Sequence, residues 1–330
     1  MKTTYIKTDP FAPDEGAIRE AAECIKHGGL VAFPTETVYG LGADSFNPDA
    51  VKKIYLAKGR PSDNPLISHI AHMDEAMKLT DYVTPDAKKL MEAYWGGPLT
   101  IILKRKSGVP DIISAGLDTV SIRMPSHSIA NMLIRLAGTP IAAPSANLSG
   151  SPSPTTFEHC KKDMDGRVDM IIDGGACSIG VESTVVDMTG EVPVILRPGA
   201  VTLEDIVSVC GKGIYGGEYA DAPKCPGMKY VHYSPDAEVF AIADTEAFKA
   251  EMKGDNVGVI TYEKYRDKAE GCRFLSAGEN DNDYAARLFY LLRRADEEGI
   301  KTVFASLPEN KGMGTAIRNR LLKAAGGRVI

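Results

Sequence analysis

Hydrophobic and polar positions alternate along this chain with two different periods, which predict helices and strands in turn. Between residues 14 and 27 apolar side chains recur at helical spacing, and Asp14 is placed to cap the helix start. Residues 30–33 and 66–70 are short apolar runs typical of buried strands. Further strands are predicted at residues 99–103, 120–124, 141–143, 170–172, 184–186 and 194–196, and further helices at residues 50–57 and 129–136. Because several strands follow one another across short turns, the pattern indicates a mixed α/β sheet with antiparallel hairpins.

The pattern breaks near residue 206. Residues 211–235 contain five glycines and three prolines and show no period, so we interpret them as a long linker. A compact second unit follows, with strands predicted at residues 239–241, 257–261, 273–275 and 302–305, and helices at residues 245–252, 284–295 and 313–324. The chain is therefore divided into a first domain at residues 1–207, a linker at 208–236 and a small doubly wound α/β domain at 237–330.

Composition and charge narrow the class of function. The 330 residues include 44 acidic and 38 basic side chains, a formal net charge of −6, which disfavours a broad surface for nucleic acid but leaves room for a local basic groove. None of the six cysteines forms a C-x-x-C pair, which excludes a zinc ribbon or a redox motif. No apolar run approaches the roughly 20 residues of a membrane span, and the N-terminus has no signal-like stretch. We expect a cytoplasmic protein with reduced thiols and no membrane partner.

Two glycine-rich segments resemble nucleotide loops without meeting their requirements. Residues 211–216 match G-x-G-x-x-G but do not lie between a strand and a helix, so a flexible linker is the better interpretation. Residues 175–180 resemble the start of a P-loop, but Val181 and Glu182 stand where Lys and Ser or Thr are needed, which excludes a Walker NTPase. An anion-binding turn and a plain hairpin turn remain equal alternatives for this segment.

Hydroxyl and basic side chains follow several predicted elements. Thr35 and Tyr39 come after a buried strand, where they form either a ligand site or a hydroxyl-rich turn. Lys58 and Arg60 end a helix, a place that favours basic residues anyway, but a loop with both is also suited to grip a phosphate chain. His69 lies late on a strand, where a structural histidine is the commoner case.

Two further arginines lie on or at the end of predicted strands. Arg123 stands inside an apolar strand and so needs an anion, either an internal carboxylate or that of a substrate. Arg197 ends another strand and has a surface ion pair as its alternative role. Residues 143–153 form a loop of small residues after a strand.

The order of short blocks along the chain is more specific than any one of them. The blocks are P-T-E-T-V-Y-G-L, K-G-R-P, N-P-L-I-S-H, G-P-L-T, S-I-R-M-P, P-S-A-N-L-S-G, E-S-T-V-V-D and L-R-P-G. Together they resemble the YrdC-like domain of the threonylcarbamoyl-AMP synthase family, and residues 226–235 with the unit behind them look like its long, two-domain form. The resemblance spans essentially the whole chain. It departs at Gly96-Gly97-Pro98, where Pro-Gly-Pro is expected.

The resemblance implies a fold and a reaction. The fold is a YrdC-like mixed twisted open sheet with helices, followed by a small Rossmann-like α/β domain. The reaction joins L-threonine, bicarbonate or CO2 and ATP into threonylcarbamoyl-adenylate and releases pyrophosphate, as the first step of tRNA threonylcarbamoyladenosine (t6A) formation. A threonylcarbamoyl transferase complex then modifies the adenosine 3′ of the anticodon, and direct tRNA contact by this chain stays open. Mg2+ is expected with ATP, held by phosphates and water rather than by protein ligands.

The resemblance also implies the site residues. Lys58 and Arg60 would act on the phosphates, Arg123 would pair the threonine carboxylate, and Tyr233 of the linker would fold over the nucleotide as part of a lid. The threonine pocket would consist of Thr35, Tyr39, His69, Arg123, Ala143 and Ser183. ATP would contact Lys58, Ser62, Thr119, Ser145, Asn147, Ser153, Arg197 and Tyr233.

Two other classes of function compete with this one. The cations at 58, 60, 123 and 197 would also serve an RNA-binding module without turnover, but they are interleaved with Thr, Ser and Asn and lack a series of stacking aromatics. A small polar ligand is therefore favoured. A hydrolase acting on carbamoyl adenylates is the third, weaker hypothesis.

Overall fold

The computed structural model describes residues 2–62, 64–216, 233–243 and 253–330. The helix predicted at residues 245–252 and the linker residues 217–232 lie outside the described residues.

A large mixed sheet forms the first part of the chain. Within the described ranges its eleven strands are arranged in the order β1-β8-β2-β3-β7-β4-β6-β5-β9-β10-β11. Strands β1 to β11 span Thr4–Lys7, Val31–Phe33, Gly40–Asp44, Ile67–His69, Leu99–Lys104, Thr119–Arg123, Ile141–Ala142, Met170–Asp173, Thr184–Asp187, Val194–Arg197 and Ile214–Tyr215. Parallel and antiparallel neighbours both occur, for example β4 parallel to β6 and β6 antiparallel to β5. The predicted mixed α/β sheet is therefore confirmed.

Helices cover both faces of this sheet. Helices α1 to α7 span Glu15–Lys26, Pro48–Lys58, Pro85–Tyr94, Asp111–Ser114, Ser128–Ala137, Phe157–Met164 and Leu203–Cys210, and Met73–Lys78 is a 3-10 helix. Asp14 caps α1 as predicted, because its side chain accepts a hydrogen bond from the Ala17 amide. Val31 and Phe33 of β2 belong to the hydrophobic cluster that includes α1 and α5, whereas Ala32 belongs to the cluster that includes α2 and α3. The alternation follows from the two-residue period of a strand.

The second unit is a four-stranded parallel sheet with helices. Strands β12 to β15 span Glu238–Ile242, Val257–Thr261, Arg273–Ser276 and Thr302–Ser306 and are ordered β12-β15-β13-β14. Helices α8 and α9 span Asp281–Glu297 and Met313–Ala324, with a further 3-10 helix at Glu263–Ala269. Val38 and Val181 of the first part, together with Tyr233, join the hydrophobic cluster of this unit. The two units therefore share one apolar interface beside the loops that follow β2 and precede β9.

Strand β3, which the sequence analysis did not predict, contains two glycines. Glycine weakens strand propensity, but a Cβ on Gly42 would lie 2.7 Å from Cε1 of Phe33 and 2.8 Å from Cγ2 of Ile141. Only glycine lets these neighbours pack so closely. The structure also differs from the expected break near residue 206, because α7 runs through it and Ile214–Tyr215 adds a strand to the large sheet. The domain boundaries at 207 and 236 stay predictions.

The two glycine motifs acquire structural roles. Gly211, the first glycine of the G-x-G-x-x-G match, ends α7 in a left-handed conformation with φ of 71°. Gly180 has φ of 80°, and a Cβ there would lie 2.4 Å from the Ala285 carbonyl oxygen of α8. The segment at 175–180 is thus shaped by close packing of the second unit. In the described part of the chain, no helix is both long and apolar enough to cross a membrane.

Candidate active site

A cavity with about 610 Å³ of empty space lies over one face of the large sheet. Ile67 and His69, two positions apart on β4, both line it, since side chains two apart on a strand share a face. Arg123 pairs with His69 in register on β6 and lines the same wall. The remaining walls come from the loops after β2, α2 and β7 and from residues before β9.

Ten of the predicted site residues meet at this cavity. They are separated by up to about 200 positions in the sequence and come from the first sheet, its loops and the segment before β12. The ten are Thr35, Arg60, His69, Arg123, Ala143, Ser145, Asn147, Ser183, Arg197 and Tyr233. Three arginines among these residues give the cavity a positive character, which suits a small anionic ligand.

Two predicted residues lie behind the wall. Tyr39 is fully buried, and its hydroxyl donates to the Gly175 carbonyl oxygen over 2.7 Å. Ser153 is also buried and donates through Oγ to Oε1 of Glu182 over 2.6 Å. Ser153 therefore supports a residue that lines the cavity, whereas Tyr39 bonds to a carbonyl group outside the lining, and neither side chain lines the cavity itself.

Two others lie away from the cavity. Ser62 is exposed in a neighbouring surface groove that shares Arg60 with the cavity. Thr119 pairs with Lys104 at the end of β6 opposite to Arg123. The geometry gives no support to ATP contacts at these two positions, which stay predictions from the resemblance.

Lys58 is buried beneath the loop at residues 143–153. Its Nζ donates to the carbonyl oxygens of Ser145 and Asn147 over 2.5 and 2.6 Å, so it holds the backbone of two cavity residues in place. Burial, together with the nearby charge of Arg60, lowers the pKa of Lys58 to about 7. A direct contact between Lys58 and a ligand would require exchange of these carbonyl partners for ligand oxygens.

The anion of Arg123 is Glu36. Nη2 of Arg123 donates to Oε1 of Glu36 over 2.7 Å, and both side chains are buried. Burial raises the pKa of Glu36, but the charge and hydrogen bond of Arg123 outweigh burial and hold the pKa below its usual range. Of the two anions considered for Arg123, the structure therefore shows the internal carboxylate, and the pairing with a threonine carboxylate stays a prediction. Among the described residues, Nε of Arg123 has no hydrogen-bond partner.

Arg197 is buried in a hydrogen-bonded network, so its alternative role in a surface ion pair is wrong. Its Nε donates to the Ser183 carbonyl oxygen and its Nη2 to Oγ of Ser183, both over 3.1 Å. Oγ of Ser183 also lies 2.8 Å from Oγ1 of Thr100 on β5. Thr100, which the sequence analysis missed, thus fixes the Ser183 hydroxyl at the cavity wall.

His69 is neutral in this surrounding. Burial lowers its pKa to about 3, and the charge of Arg123 adds to the effect. Its Nδ1 lies 3.2 Å from the Ile67 carbonyl oxygen, which assigns the Nδ1 proton to that bond. The ring therefore offers Nε2 as an acceptor at neutral pH and carries no charge.

Glu182 is a cavity residue that the sequence analysis did not select. It lies next to Ser183 in the E-S-T-V-V-D block, and only this position signalled it. Its Oε1 accepts from Ser153, and its Oε2 accepts from Nε of Arg320 on α9 over 2.8 Å. Burial raises the pKa of Glu182, but the charges of Arg320 and Arg197 outweigh it and lower the pKa to about 2.

Tyr233 covers one side of the cavity. Its ring stacks on Phe289 of α8 with 5.1 Å between centroids, and its backbone has φ of 69°. A bulky residue with positive φ is rare and strained, and such residues concentrate at functional sites. Within the described ranges, no group of three or more His, Cys, Asp or Glu side chains is arranged to hold a metal ion.

Comparisons with known proteins agree with this architecture. Residues 23–199 match the Sua5/YciO/YrdC family model, described as Telomere recombination, and residues 201–326 match the model described as Threonylcarbamoyl-AMP synthase, C-terminal domain. A threonylcarbamoyl-AMP synthase of Pyrococcus abyssi is 46% identical, covering 96% of each chain. That of Bacillus subtilis is 47% identical, covering 98% of this chain and 97% of the relative.

A solved structure of Sua5 from P. abyssi complexed with L-threonine matches with a TM-score of 0.91 at 43% identity, covering 100% of this chain and 99% of that one. The fold and cavity define an α/β enzyme with a site for a small anionic ligand. The chain belongs to the threonylcarbamoyl-AMP synthase family.

Proposed function

We propose that this chain makes threonylcarbamoyl-AMP from L-threonine, bicarbonate or CO2 and ATP and releases pyrophosphate, the first step of t6A formation. The observation that carries the proposal is the convergence of Arg60, Arg123 and Arg197 with Thr35 and Ser183 around one cavity. Both ATP and threonine bring negative charge, which fixed arginines are suited to hold. Full-length relatives that bear the name of this synthase support the same reaction.

Threonine is proposed to bind against β4 and β6. Arg123 lines the cavity while Nη2 bonds Glu36, and we propose that the rest of its guanidinium binds the amino-acid carboxylate. The neutral ring of His69 offers an acceptor to the amine or hydroxyl. Thr35, Ala143 and Ser183 complete the proposed pocket, with Tyr39 behind it. The P. abyssi structure with bound L-threonine supports the assignment of this substrate.

ATP is proposed to occupy the part of the cavity formed by the loop at 143–153, Arg60 and Arg197. Ser145 and Asn147 offer polar groups at this wall, and Lys58 fixes their backbone from below. The arginines would stabilise negative charge as pyrophosphate leaves. Tyr233 would shield the product, a mixed anhydride, from water. The whole linker as a lid stays a prediction, since residues 217–232 lie outside the described residues.

The reaction needs only positioned groups. The threonine amine, after losing a proton, adds to CO2 and forms a carbamate; a carbamate oxygen then attacks the α-phosphorus, and the bond to pyrophosphate breaks. Mg2+ would accompany ATP and neutralise phosphate charge. Glu36 and Glu182 are each committed to an arginine, so we propose that phosphates and water hold the metal.

The product is proposed to pass to a threonylcarbamoyl transferase complex that acts on tRNA in the cytoplasm.

The test measures pyrophosphate release from ATP and Mg2+, with threonine and bicarbonate each omitted in turn, and identifies the nucleotide product by mass spectrometry. We expect release only with both co-substrates and a product with the mass of threonylcarbamoyl-AMP. Release without threonine would mean a different acceptor. Salt-dependent tRNA binding without turnover would favour the RNA-binding module, and hydrolysis of added carbamoyl adenylate without any synthesis would favour the hydrolase.

A further inference from the structure

Two buried arginines of the second unit form ion pairs with carboxylates of the first part of the chain. Arg320 of α9 is fully buried and donates through Nε to Oε2 of Glu182 over 2.8 Å. Arg293 of α8 is also buried, and its Nη1 and Nη2 donate to the two carboxylate oxygens of Asp163 over 3.1 and 2.5 Å. The pairs differ in one respect: Glu182 lines the cavity, whereas Asp163 does not.

The surroundings of Arg320 are closed to water. A Cβ on Gly180 would overlap the backbone of α8, so the loop before Glu182 is pressed against the second unit. The guanidinium carbon of Arg320 lies 5.7 Å from the ring centroid of Tyr233, and Nη1 donates to Oδ1 of Asn319 over 2.9 Å. In such a setting a charge interaction is screened little.

Glu182 interacts with a second cation, Arg197, whose charge also lowers the pKa of the carboxyl group. Arg197 reaches the cavity while bonded to Ser183, the next residue after Glu182. If Arg320 were removed, Glu182 would remain as a buried carboxylate with Arg197 as its remaining strong counter-charge. The carboxylate would then both repel an anionic ligand and compete with it for Arg197.

We propose that Arg320 is a positioning residue of the nucleotide site: it holds Glu182 against Ser153 and thereby keeps Arg197 available for the phosphates of ATP. The inference rests on the proposed function for the identity of the anion. It assigns the second unit a part in the electrostatics of the cavity, beyond its attachment to the linker.

The experiment compares Arg320→Met with the double variant Arg320→Met/Glu182→Gln. Dissociation constants for ATP and for L-threonine are measured by calorimetry on full-length protein. We expect Arg320→Met to weaken ATP binding about tenfold or more, because an uncompensated carboxylate remains beside the phosphates. The double variant should return ATP affinity to within about threefold of wild type, since the carboxylate is gone. Threonine affinity should change much less in both.

Two control variants distinguish the positioning role of Arg320 from the general effect of losing a buried contact between the units. Arg293→Met and Arg293→Met/Asp163→Asn remove the other buried ion pair between the units, together with the hydrogen bonds of Arg293 to the Pro152 carbonyl oxygen, and change no charged residue that lines the cavity. We expect these variants to lose stability but to keep ATP affinity within about threefold of wild type. If Arg320→Met does not fold, Arg320→Lys, which keeps the charge, should retain ATP binding near the wild-type value while losing stability.

Three results would overturn the proposal. They are unchanged ATP affinity in Arg320→Met, no recovery in the folded double variant, and an equal loss of ATP affinity in the Arg293 variants. If Arg320→Lys is used instead, the proposal is also overturned when this variant folds but binds ATP as weakly as is expected for Arg320→Met. A wild-type chain that binds ATP but releases no pyrophosphate would contradict the proposed function alone, since the binding comparison still decides the role of Arg320.

Discussion

Nη2 of Arg123 lies 2.7 Å from Oε1 of Glu36, and this buried ion pair forms part of the cavity wall. A charged residue buried on an apolar strand needs a counter-charge, and Glu36 provides it for Arg123. Arg123 is also the residue proposed to bind the threonine carboxylate. Variants can separate this proposed role from the contribution of the ion pair to stability.

Arg123→Ala should raise the KM for threonine about 100-fold, with a much smaller effect on the KM for ATP. It should also lower the free energy of unfolding by about 3–5 kcal/mol, because Glu36 is left buried without its cation. Chemical denaturation and initial-rate kinetics measure the two effects. Adding Glu36→Gln should restore much of the stability but not the threonine KM.

The matched control is Arg105→Ala. Arg105 forms an ion pair with Asp111, whose side chain is 81% exposed, so its loss should cost less than about 1 kcal/mol from that pair and leave the threonine KM unchanged. Recovery of the threonine KM in the Arg123→Ala/Glu36→Gln variant would contradict a substrate role and reduce Arg123 to a partner of Glu36.

The variants Lys58→Ala and Arg60→Ala are both predicted to lose activity, but only Lys58→Ala should also lose stability. Arg60→Ala should reduce pyrophosphate release and raise the KM for ATP about tenfold or more, with little change in Tm, because Arg60 lies in a partly exposed loop at the cavity. Lys58→Ala should also lose turnover but be destabilised by about 1–3 kcal/mol, since the carbonyl groups of Ser145 and Asn147 lose their buried donor.

Lys52→Ala on the same helix is the control, because Lys52 is exposed and pairs only with Asp49 of its own helix among the described contacts. It should match wild type in turnover and Tm. Wild-type turnover in both Lys58→Ala and Arg60→Ala would contradict the proposal that these residues serve the part of the cavity that binds the ATP phosphates.

The hydrophobic pattern predicted many of the elements but not their pairing, and it missed others, among them β1, β3 and α3. Arg123 was placed correctly on an apolar strand, yet its partner Glu36 lies 87 positions away in the loop after β2. That contact depends on the order of strands in the sheet, which local periodicity does not contain. Likewise, the helix predicted at 313–324 matches α9, but a pattern that assigns charged residues to solvent gives no reason to bury Arg320.

The site was predicted mainly by residue type and by the order of blocks. These identify which side chains belong together but not where each one points. Lys58 and Ser153 were expected to contact ATP, whereas their polar atoms bind the loop backbone and Glu182. Gly180 shows the same limit, because its role depends on α8, more than 100 positions later in the chain.

The pKa of Lys58 predicts a pH-dependent difference in stability. Burial lowers it to about 7 in the folded chain, whereas an unfolded lysine titrates near 10.4. Between these values the unfolded chain binds a proton that the folded chain does not, so Lys58 makes stability rise with pH. The free energy of unfolding of wild type relative to Lys58→Met should therefore increase by about 1–3 kcal/mol from pH 7 to 9.5.

Urea denaturation at four pH values measures this difference. Lys52→Met serves as the control, and its difference from wild type should not vary with pH. Parallel pH profiles for wild type and Lys58→Met would show that Lys58 stays protonated in the fold, paired by its carbonyl acceptors.

Gly180→Ala tests how closely the second unit must dock for the site to work. A Cβ there would lie 2.4 Å from the Ala285 carbonyl oxygen and would also demand a positive φ from alanine. We expect a loss of about 2–4 kcal/mol in unfolding free energy and weaker ATP binding, because Glu182 follows two residues later.

Gly190→Ala is the matched control, since a Cβ there meets nothing within 4 Å. Thermal unfolding and ATP calorimetry of both variants measure the effects. If Gly180→Ala lost stability but kept wild-type ATP affinity, docking of the second unit would matter for the fold and not for the nucleotide site.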